Sequence, residues 1–153
     1  MKLNVEVPID GSSTDIWKVI TDIENSPINI TGIEKVEIHD NPGESLVGLK
    51  WTETRTLFGK TATETMWITE AEKNKYYKTR AESHGAIYTS HMHIFERDGK
   101  TYLGMEFNSV AQNFAAKLMA GVFGLMFKNA TKKALYKDLL DIKKVVEASD
   151  LKV

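Results

Sequence analysis

Apolar and polar residues alternate at the start of the chain, and the last third of the chain has a helical period. The first alternation occurs at Leu3, Val5, Val7 and Ile9. It predicts a half-buried strand, because successive side chains of a strand point to opposite faces of the sheet. After Gly11, a serine or Thr14 can cap a helix that runs through Ile23. Pro27 is expected to stop this helix, and residues 28–33 (INITGI) predict a second short helix or a turn.

Six further strands are predicted before a long helix. They comprise Lys35–His39, two strands in residues 49–68, one strand around Tyr76–Ser83, and two strands joined by the turn RDGK at residues 97–100. From roughly Ala111 to Val146 the sequence has no proline and the period becomes helical. The order is one strand, two short helices, six strands and one long helix. This order indicates an α+β fold with an antiparallel sheet and segregated helices.

The central hairpin, LKWTETRTLFGKTATETMWI at residues 49–68, carries charges on the face that is expected to be buried. If Gly59-Lys60 forms a two-residue turn, Phe58 pairs with Thr61 and Arg55 pairs with Glu64. One face then holds the threonines, and the other face holds Trp51, Glu53, Arg55, Leu57, Glu64, Met66 and Ile68. The threonine face suits solvent, so the second face is expected to point inward.

A charge in a packed core costs several kcal/mol unless it is paired. In the register above, Arg55 lies opposite Glu64 and has Glu53 two residues along the same face, so we expect Arg55 to bind both carboxylates. Two interpretations stay open at this point. The cluster is either a polar anchor at one end of a ligand pocket or a solvated ion pair near the edge of the sheet.

A pair of histidines lies in the last hairpin. With Asp98-Gly99 at its tip, His91 pairs with Glu106, and His93 pairs with Gly104. The apolar residues of both strands form the opposite, inward face, so the histidines are expected to point outward. Zinc needs three or four converging ligands and a supporting second shell. We therefore predict a solvated His–Glu pair and no metal site.

The final helix has an inward stripe and an unexplained apolar face. The predicted stripe consists of Leu118, Gly121, Leu125, Leu135, Leu139, Ile142 and Val146. Apolar side chains also point the other way, at Met119, Phe123, Met126 and Phe127, and several lysines follow them. We expect loops or the partner of a homodimer to cover this face. The alternatives are a mobile gate or a peripheral membrane contact with basic anchors.

Composition excludes several functions. The 153 residues include 20 basic and 21 acidic side chains, so no overall field favours nucleic acid as a partner. There is no cysteine, no glycine-rich phosphate loop and no G-x-S-x-G motif, and we expect no cofactor. The N-terminus does not resemble a signal peptide, and no apolar run is long enough to span a membrane. We therefore expect a soluble, cytoplasmic protein.

The order of elements resembles the START-like, or helix-grip (SRPBCC), superfamily, which includes pollen-allergen-like and polyketide cyclase/dehydrase-like proteins. The resemblance is carried by STDIWKVITDIENSPINITGI, by WTETRTLFGKTATETMWITEAE and by DLLDIKKVVE, and it spans essentially the whole chain. It implies a curved antiparallel sheet of about seven strands wrapped around the C-terminal helix, with an apolar cavity between them. It also implies a single ligand-binding domain over residues 1–153 and a lipid, polyketide, hormone or quinone-like ligand.

Three functions are consistent with these features: binding of a hydrophobic small molecule, an aromatase/cyclase-type enzyme, and an interaction protein that docks through the apolar helix 114–127. The first needs no catalytic motif, so we expect a binding protein rather than an enzyme and identify no catalytic residue. In the second, the Glu/Arg cluster would transfer protons to or from a polyketide-like substrate. The predicted ligand-binding residues are Trp51, Glu53, Arg55, Glu64, Met66, Ile68, Met92, Met105, Phe107, Leu118 and Leu125.

Overall fold

The structure, a computed structural model, describes residues 1–57 and 59–150, without the side chains of Leu57, Phe123 and Asp150. The described elements follow in the order β1 (Lys2–Pro8), α1 (Ser13–Thr21), α2 (Ser26–Asn29), β2 (Ile33–Asp40), β3 (Lys50–Leu57), β4 (Lys60–Glu72), β5 (Tyr76–Ser83), β6 (Ala86–Arg97), β7 (Lys100–Ala111) and α3 (Phe114–Asp150). The strands form one antiparallel sheet in the order β1-β7-β6-β5-β4-β3-β2. The two short helices therefore connect strands at opposite edges of the sheet. The predicted α+β helix-grip fold is confirmed.

The helices begin and end at residues that differ slightly from the predicted ones, and capping residues explain these differences. The side chain of Ser12 accepts a hydrogen bond from the Asp15 N–H and begins α1, which ends at Thr21, two residues before the predicted end. Pro27 lies in the first turn of α2, where its missing N–H costs nothing, so it does not end α1. β7 continues to Ala111, and the side chain of Asn113 caps α3 by accepting from the Ala116 N–H at 2.8 Å.

The core lies between one face of the sheet and the C-terminal half of α3, with α1 beside them. In α3 the predicted stripe is buried at Leu135, Leu139, Ile142 and Val146. The N-terminal continuation of the stripe is wrong: Gly121 is exposed, and Leu118 and Leu125 are 57% and 75% exposed. Apolar residues occur on every side of α3 in this segment, so their spacing identifies no buried face. Among the described residues, no helix combines the length and apolar character that a membrane crossing requires.

The predicted strand register is correct in one hairpin and wrong in the other. In β6–β7 the pairs His91–Glu106 and His93–Gly104 are confirmed. In β3–β4 the register is two residues away from the prediction, with Glu53 opposite Glu64 and Arg55 opposite Ala62. The threonines recur at every second position of both strands, so the pattern fits either register. A shift of two keeps every side chain on its predicted face.

Two further predictions involve parts of the chain that the structure does not describe. The predicted partner of Thr61 was Phe58, which lies outside the described residues, and Thr61 pairs with Thr56. The predicted inward side chain of Leu57 and the predicted outward side chain of Phe123 also lie outside the described part.

Candidate functional site

An inner cavity of about 90 Å³ lies between the sheet and the helices. Apolar side chains form most of its wall, including Trp51, Met66, Met92, Met105, Ile20 and Ile142. Four of these residues come from β3, β4, β6 and β7, where the alternation of the strands brings them to one face of the sheet. Methionine is unbranched and flexible, which allows such a wall to fit ligands of different shapes.

A buried ion cluster forms the polar end of the inner cavity. Arg55 donates from Nε to Glu53 Oε1 at 3.1 Å and from Nη2 to Asp138 Oδ2 at 2.7 Å. Glu53 and Asp138 are 8% and 5% exposed. The predicted contact between Arg55 and Glu53 is therefore present, but the predicted contact with Glu64 is wrong. Because the strands pair two residues away from the predicted register, Glu64 instead accepts a hydrogen bond from the Ser83 hydroxyl at 3.1 Å.

Two carboxylates share one guanidinium in this cluster, so its formal charge is negative. Burial raises the pKa of the Glu53 and Asp138 carboxyls, and the positive charge of Arg55 offsets only part of this effect. Burial also opposes the charge of Arg55, but the two carboxylates outweigh it and hold the pKa of the guanidinium above its ordinary value. The site thus combines a permanent cation with carboxyls that hold a proton more readily than usual.

Sequence reasoning missed Asp138, although its position carried a signal. Asp138 lies three residues after Leu135 and four before Ile142, on the apolar stripe that packs on the sheet. An acidic residue on a buried stripe needs a cation or hydrogen-bond donors to compensate for its lost hydration, so its position pointed to a partner such as Arg55. The sequence pattern also did not identify two polar wall residues, Thr79 and Ser90. Their hydroxyls are hydrogen-bonded to each other across β5 and β6.

A second, outer cleft of about 1230 Å³ lies between the N-terminal half of α3 and the sheet. Its sheet wall includes Tyr88 and Ser109, and its helix wall includes Met119, Leu125 and Phe127. Met119 and Phe127 thus line the cleft, although they were predicted to point away from the sheet. The cleft exists because this half of α3 does not pack closely on the strands beneath it.

A pair of stacked aromatic rings lies on the same face of the sheet as the two cavities. Phe107 and Tyr88 stack with their ring centroids 6.0 Å apart and their planes at 25°. On β7, Phe107 is two residues from Met105 in the inner wall and two residues from Ser109 in the outer wall, all on one face of the strand. The two rings therefore lie on the part of the sheet between the inner and the outer wall residues.

The predicted binding residues are distributed unequally between these cavities. The inner wall contains Trp51, Glu53, Arg55, Met66, Met92 and Met105. Leu125 lines the outer cleft. Neither set of described wall residues includes Glu64, Ile68, Phe107 or Leu118. Ile68 is 1% exposed within the core, and the predicted inward position of Leu118 is wrong, as described above. The binding roles of these residues stay predictions.

The histidine pair lies on the opposite face of the sheet. His91 Nδ1 is 2.9 Å from Glu106 Oε2, and the rings of His91 and His93 stack with centroids 4.8 Å apart. One potential ligand atom from each of these three residues lies within 4.8 Å of the others. Ligand atoms around tetrahedral zinc are roughly 3.3 Å apart, since Zn–N distances are about 2.0–2.1 Å. Near-parallel rings also direct their nitrogens side by side instead of toward a common centre.

We therefore expect no tightly bound zinc at this cluster. Titration of the purified protein with zinc, followed by calorimetry, should give the same weak response for the wild type, for His91→Ala and for the control His39→Ala. One equivalent of tightly bound zinc that disappears only in His91→Ala would contradict the prediction.

The fold has close counterparts among solved structures, although no protein-family model and no curated protein matches the sequence. TTHA0849 from Thermus thermophilus superposes with a TM-score of 0.80 at 10% identity, over 97% of this chain and 99% of that chain. A START superfamily protein from Mycobacterium smegmatis superposes with a TM-score of 0.78 at 14% identity, over 96% of this chain and 97% of that chain. The Zhui aromatase/cyclase from Streptomyces sp. R1128 superposes with a TM-score of 0.76 at 16% identity, over 96% of this chain and 93% of that chain. The expected START-like fold is confirmed.

Proposed function

We propose that this protein binds a hydrophobic small molecule, of lipid, polyketide or quinone-like character, between the sheet and α3. The outer cleft is the observation that carries this proposal. Its volume of about 1230 Å³ exceeds that of an ordinary ligand pocket, which is about 300–1,000 Å³. Its walls are mainly apolar, so transfer of an apolar ligand from water into the cleft is favourable. The inner cavity, at about 90 Å³, accommodates only a small end group.

The ion cluster provides a polar anchor for that end group. A guanidinium has five N–H donors in a fixed fork, and Arg55 uses only part of this set on Glu53 and Asp138. A ligand carbonyl or hydroxyl that reaches the inner cavity can accept a remaining donor. The ligand body would occupy the outer cleft, and displacement of the Phe107–Tyr88 pair would connect the two spaces.

A second candidate function is an aromatase/cyclase-type reaction, which the likeness to the Zhui structure suggests. The observation that favours it is the buried pair Glu53 and Asp138 beside the guanidinium of Arg55, since burial raises the pKa of both carboxyls and a carboxyl that keeps its proton can act as a general acid. Glu64, which was expected to belong to the Glu/Arg cluster, accepts a hydrogen bond from Ser83 instead. Turnover of a polyketide-like substrate that is lost in Glu53→Gln but kept in Glu64→Gln would support the enzyme.

Filling the outer cleft should weaken ligand binding by at least about tenfold. Ala120→Trp places an indole in the cleft wall on an exposed helical position, where folding is preserved. Ala148→Trp is the matched control, because it adds the same ring to an exposed position of the same helix outside the described cleft wall. Fluorescence titration with N-phenyl-1-naphthylamine measures binding. Equal affinity of both variants and the wild type would exclude the cleft as the binding site.

We also retain three expectations for the whole chain. Residues 1–153 would act as one ligand-binding domain, located in the cytoplasm. A homodimer is the third expectation, and sedimentation equilibrium of the purified protein measures it directly. No described feature favours nucleic acid as a partner, in keeping with the balanced charge of the chain.

A further inference from the structure

The N-terminal half of α3 exposes an unusually apolar surface. Its exposed apolar side chains, here called the apolar helix surface, are Phe114, Leu118, Met119, Val122, Leu125, Met126 and Phe127. Their exposed fractions range from 45% to 81%. Exposed single hydrophobic residues are ordinary, but a contiguous group of this size indicates a surface that contacts another apolar phase.

The charged residues of this stretch of the chain all have one sign. From residue 107 to residue 137 the chain contains no acidic residue and five lysines, at positions 117, 128, 132, 133 and 137. All five lysines are exposed. Within the described part of the chain, only Lys137 forms an ion pair, with Asp141 in the next helical turn. This local excess contrasts with the formal net charge of −1 for the whole chain.

We propose that the apolar helix surface docks on an anionic phospholipid bilayer. Exposed leucine, methionine and phenylalanine side chains enter the boundary between headgroups and acyl chains, as in other interfacial helices. Lysines at both ends of the segment contact the anionic headgroups, which attract basic side chains near the surface. α3 lies on the membrane in this arrangement and does not cross it.

The same charges disfavour a second copy of the chain as the occupant of this surface. A two-fold dimer places the same patch of both subunits face to face. Lys117 and Lys128 flank six of the seven residues of the apolar helix surface, so a symmetric contact brings like charges together with no acidic residue in the segment to neutralise them. An anionic bilayer neutralises all of these lysines at once.

Docking also orients the outer cleft. Met119, Leu125 and Phe127 belong both to the apolar helix surface and to the wall of the cleft. When this segment contacts a bilayer, the cleft opens toward the acyl chains, and an apolar molecule can pass between them without crossing water. Docking itself goes beyond the proposed function, because it requires no ligand.

Co-sedimentation with vesicles tests the docking directly. The full chain should bind vesicles of phosphatidylglycerol mixed with phosphatidylcholine, bind phosphatidylcholine alone at least tenfold more weakly, and lose affinity as salt is added. Each lysine near an anionic surface contributes about fivefold to the binding constant, so Lys132→Glu with Lys133→Glu should weaken binding by at least about 25-fold. Leu125→Asp with Met126→Asp should abolish binding.

Matched variants on other surfaces serve as controls. Lys35→Glu with Lys60→Glu changes the net charge equally on distant exposed positions, and Ile28→Asp adds a charge at an apolar side chain that is 82% exposed on α2. Both controls should bind vesicles like the wild type. All the altered side chains are exposed, so circular dichroism should show unchanged folding. Lys132 and Lys133 lie outside the described cleft wall, so the Lys132→Glu with Lys133→Glu variant should keep the wild-type affinity for N-phenyl-1-naphthylamine, and this separates loss of docking from loss of the ligand site.

Three results would overturn the proposal. The first is an absence of binding to anionic vesicles, and the second is equal binding to both vesicle types. The third is a stable dimer in sedimentation equilibrium that Leu125→Asp converts to a monomer while vesicle binding is absent. That result would assign the surface to a second copy of the chain.

Discussion

Arg55→Met is expected to lower the free energy of unfolding by about 3–5 kcal/mol, the usual loss when one partner of a buried ion cluster is removed. Among the described residues, only the Arg55 guanidinium forms ion pairs with both Glu53 and Asp138, and its side chain is 23% exposed. Without it, two buried carboxyls face each other. At least one of them must then take up a proton or remain as an uncompensated charge.

The compensating variants identify the partner of Arg55. Arg55→Met with Asp138→Leu should recover much of the loss, because it leaves one carboxyl that can be neutral when protonated. Arg55→Met with Glu64→Leu should recover nothing, because Glu64 binds Ser83 and not Arg55. Urea unfolding of the four proteins measures these differences. A loss well below 1 kcal/mol for Arg55→Met would place the cluster in open solvent and remove the proposed anchor.

Phe107→Ala should destabilise the protein and yet strengthen the binding of long apolar ligands. Burial of a phenylalanine makes Phe→Ala cost about 3–5 kcal/mol in a core, and the half-buried position of Phe107 reduces this to roughly 2 kcal/mol. Removal of the ring joins the inner cavity to the outer cleft. A fluorescent C16 fatty acid should therefore bind at least about tenfold more tightly, whereas the compact N-phenyl-1-naphthylamine should bind as before.

Phe95→Ala is the matched control for this experiment. Phe95 is also half-buried and stacked between His93 and Tyr102, but it lies on the opposite face of the sheet. The control should lose stability and leave both affinities unchanged. If Phe107→Ala changes the two affinities equally, the aromatic pair does not separate two connected spaces.

The two hairpins show how much of the site the sequence could predict. Asp98 and Gly99 both have positive φ, at 53° and 76°, as expected for a two-residue turn at the tip of β6–β7. This turn sets one register, and the outward position of His91 and His93 followed from it. In β3–β4 the repeated threonines fit registers that differ by two residues. The pattern thus predicted the inward face of Arg55 correctly and its partner Glu64 wrongly.

The partner of Arg55 illustrates the limit of local patterns. The requirement for a buried counter-charge follows from elementary electrostatics. Glu53 meets part of this requirement from the same strand, and the other partner, Asp138, is 83 residues away on another element. Asp138 reaches Arg55 only because of the way α3 crosses the sheet. The spacing of residues within either segment contains no information about this crossing.

The order of elements and the inward face of each strand of the two hairpins were determined by the sequence alone. These features depend on the periods of strands and helices, 2.0 and 3.6 residues, and each period can be read from the local sequence of its segment. Tertiary structure alone decided that α3 packs on the sheet through its C-terminal half and leaves a cleft under its N-terminal half. It also decided that Phe107 and Tyr88 stack on the sheet beside this cleft. Distances between elements set these features, and such distances arise from the packing of the whole chain.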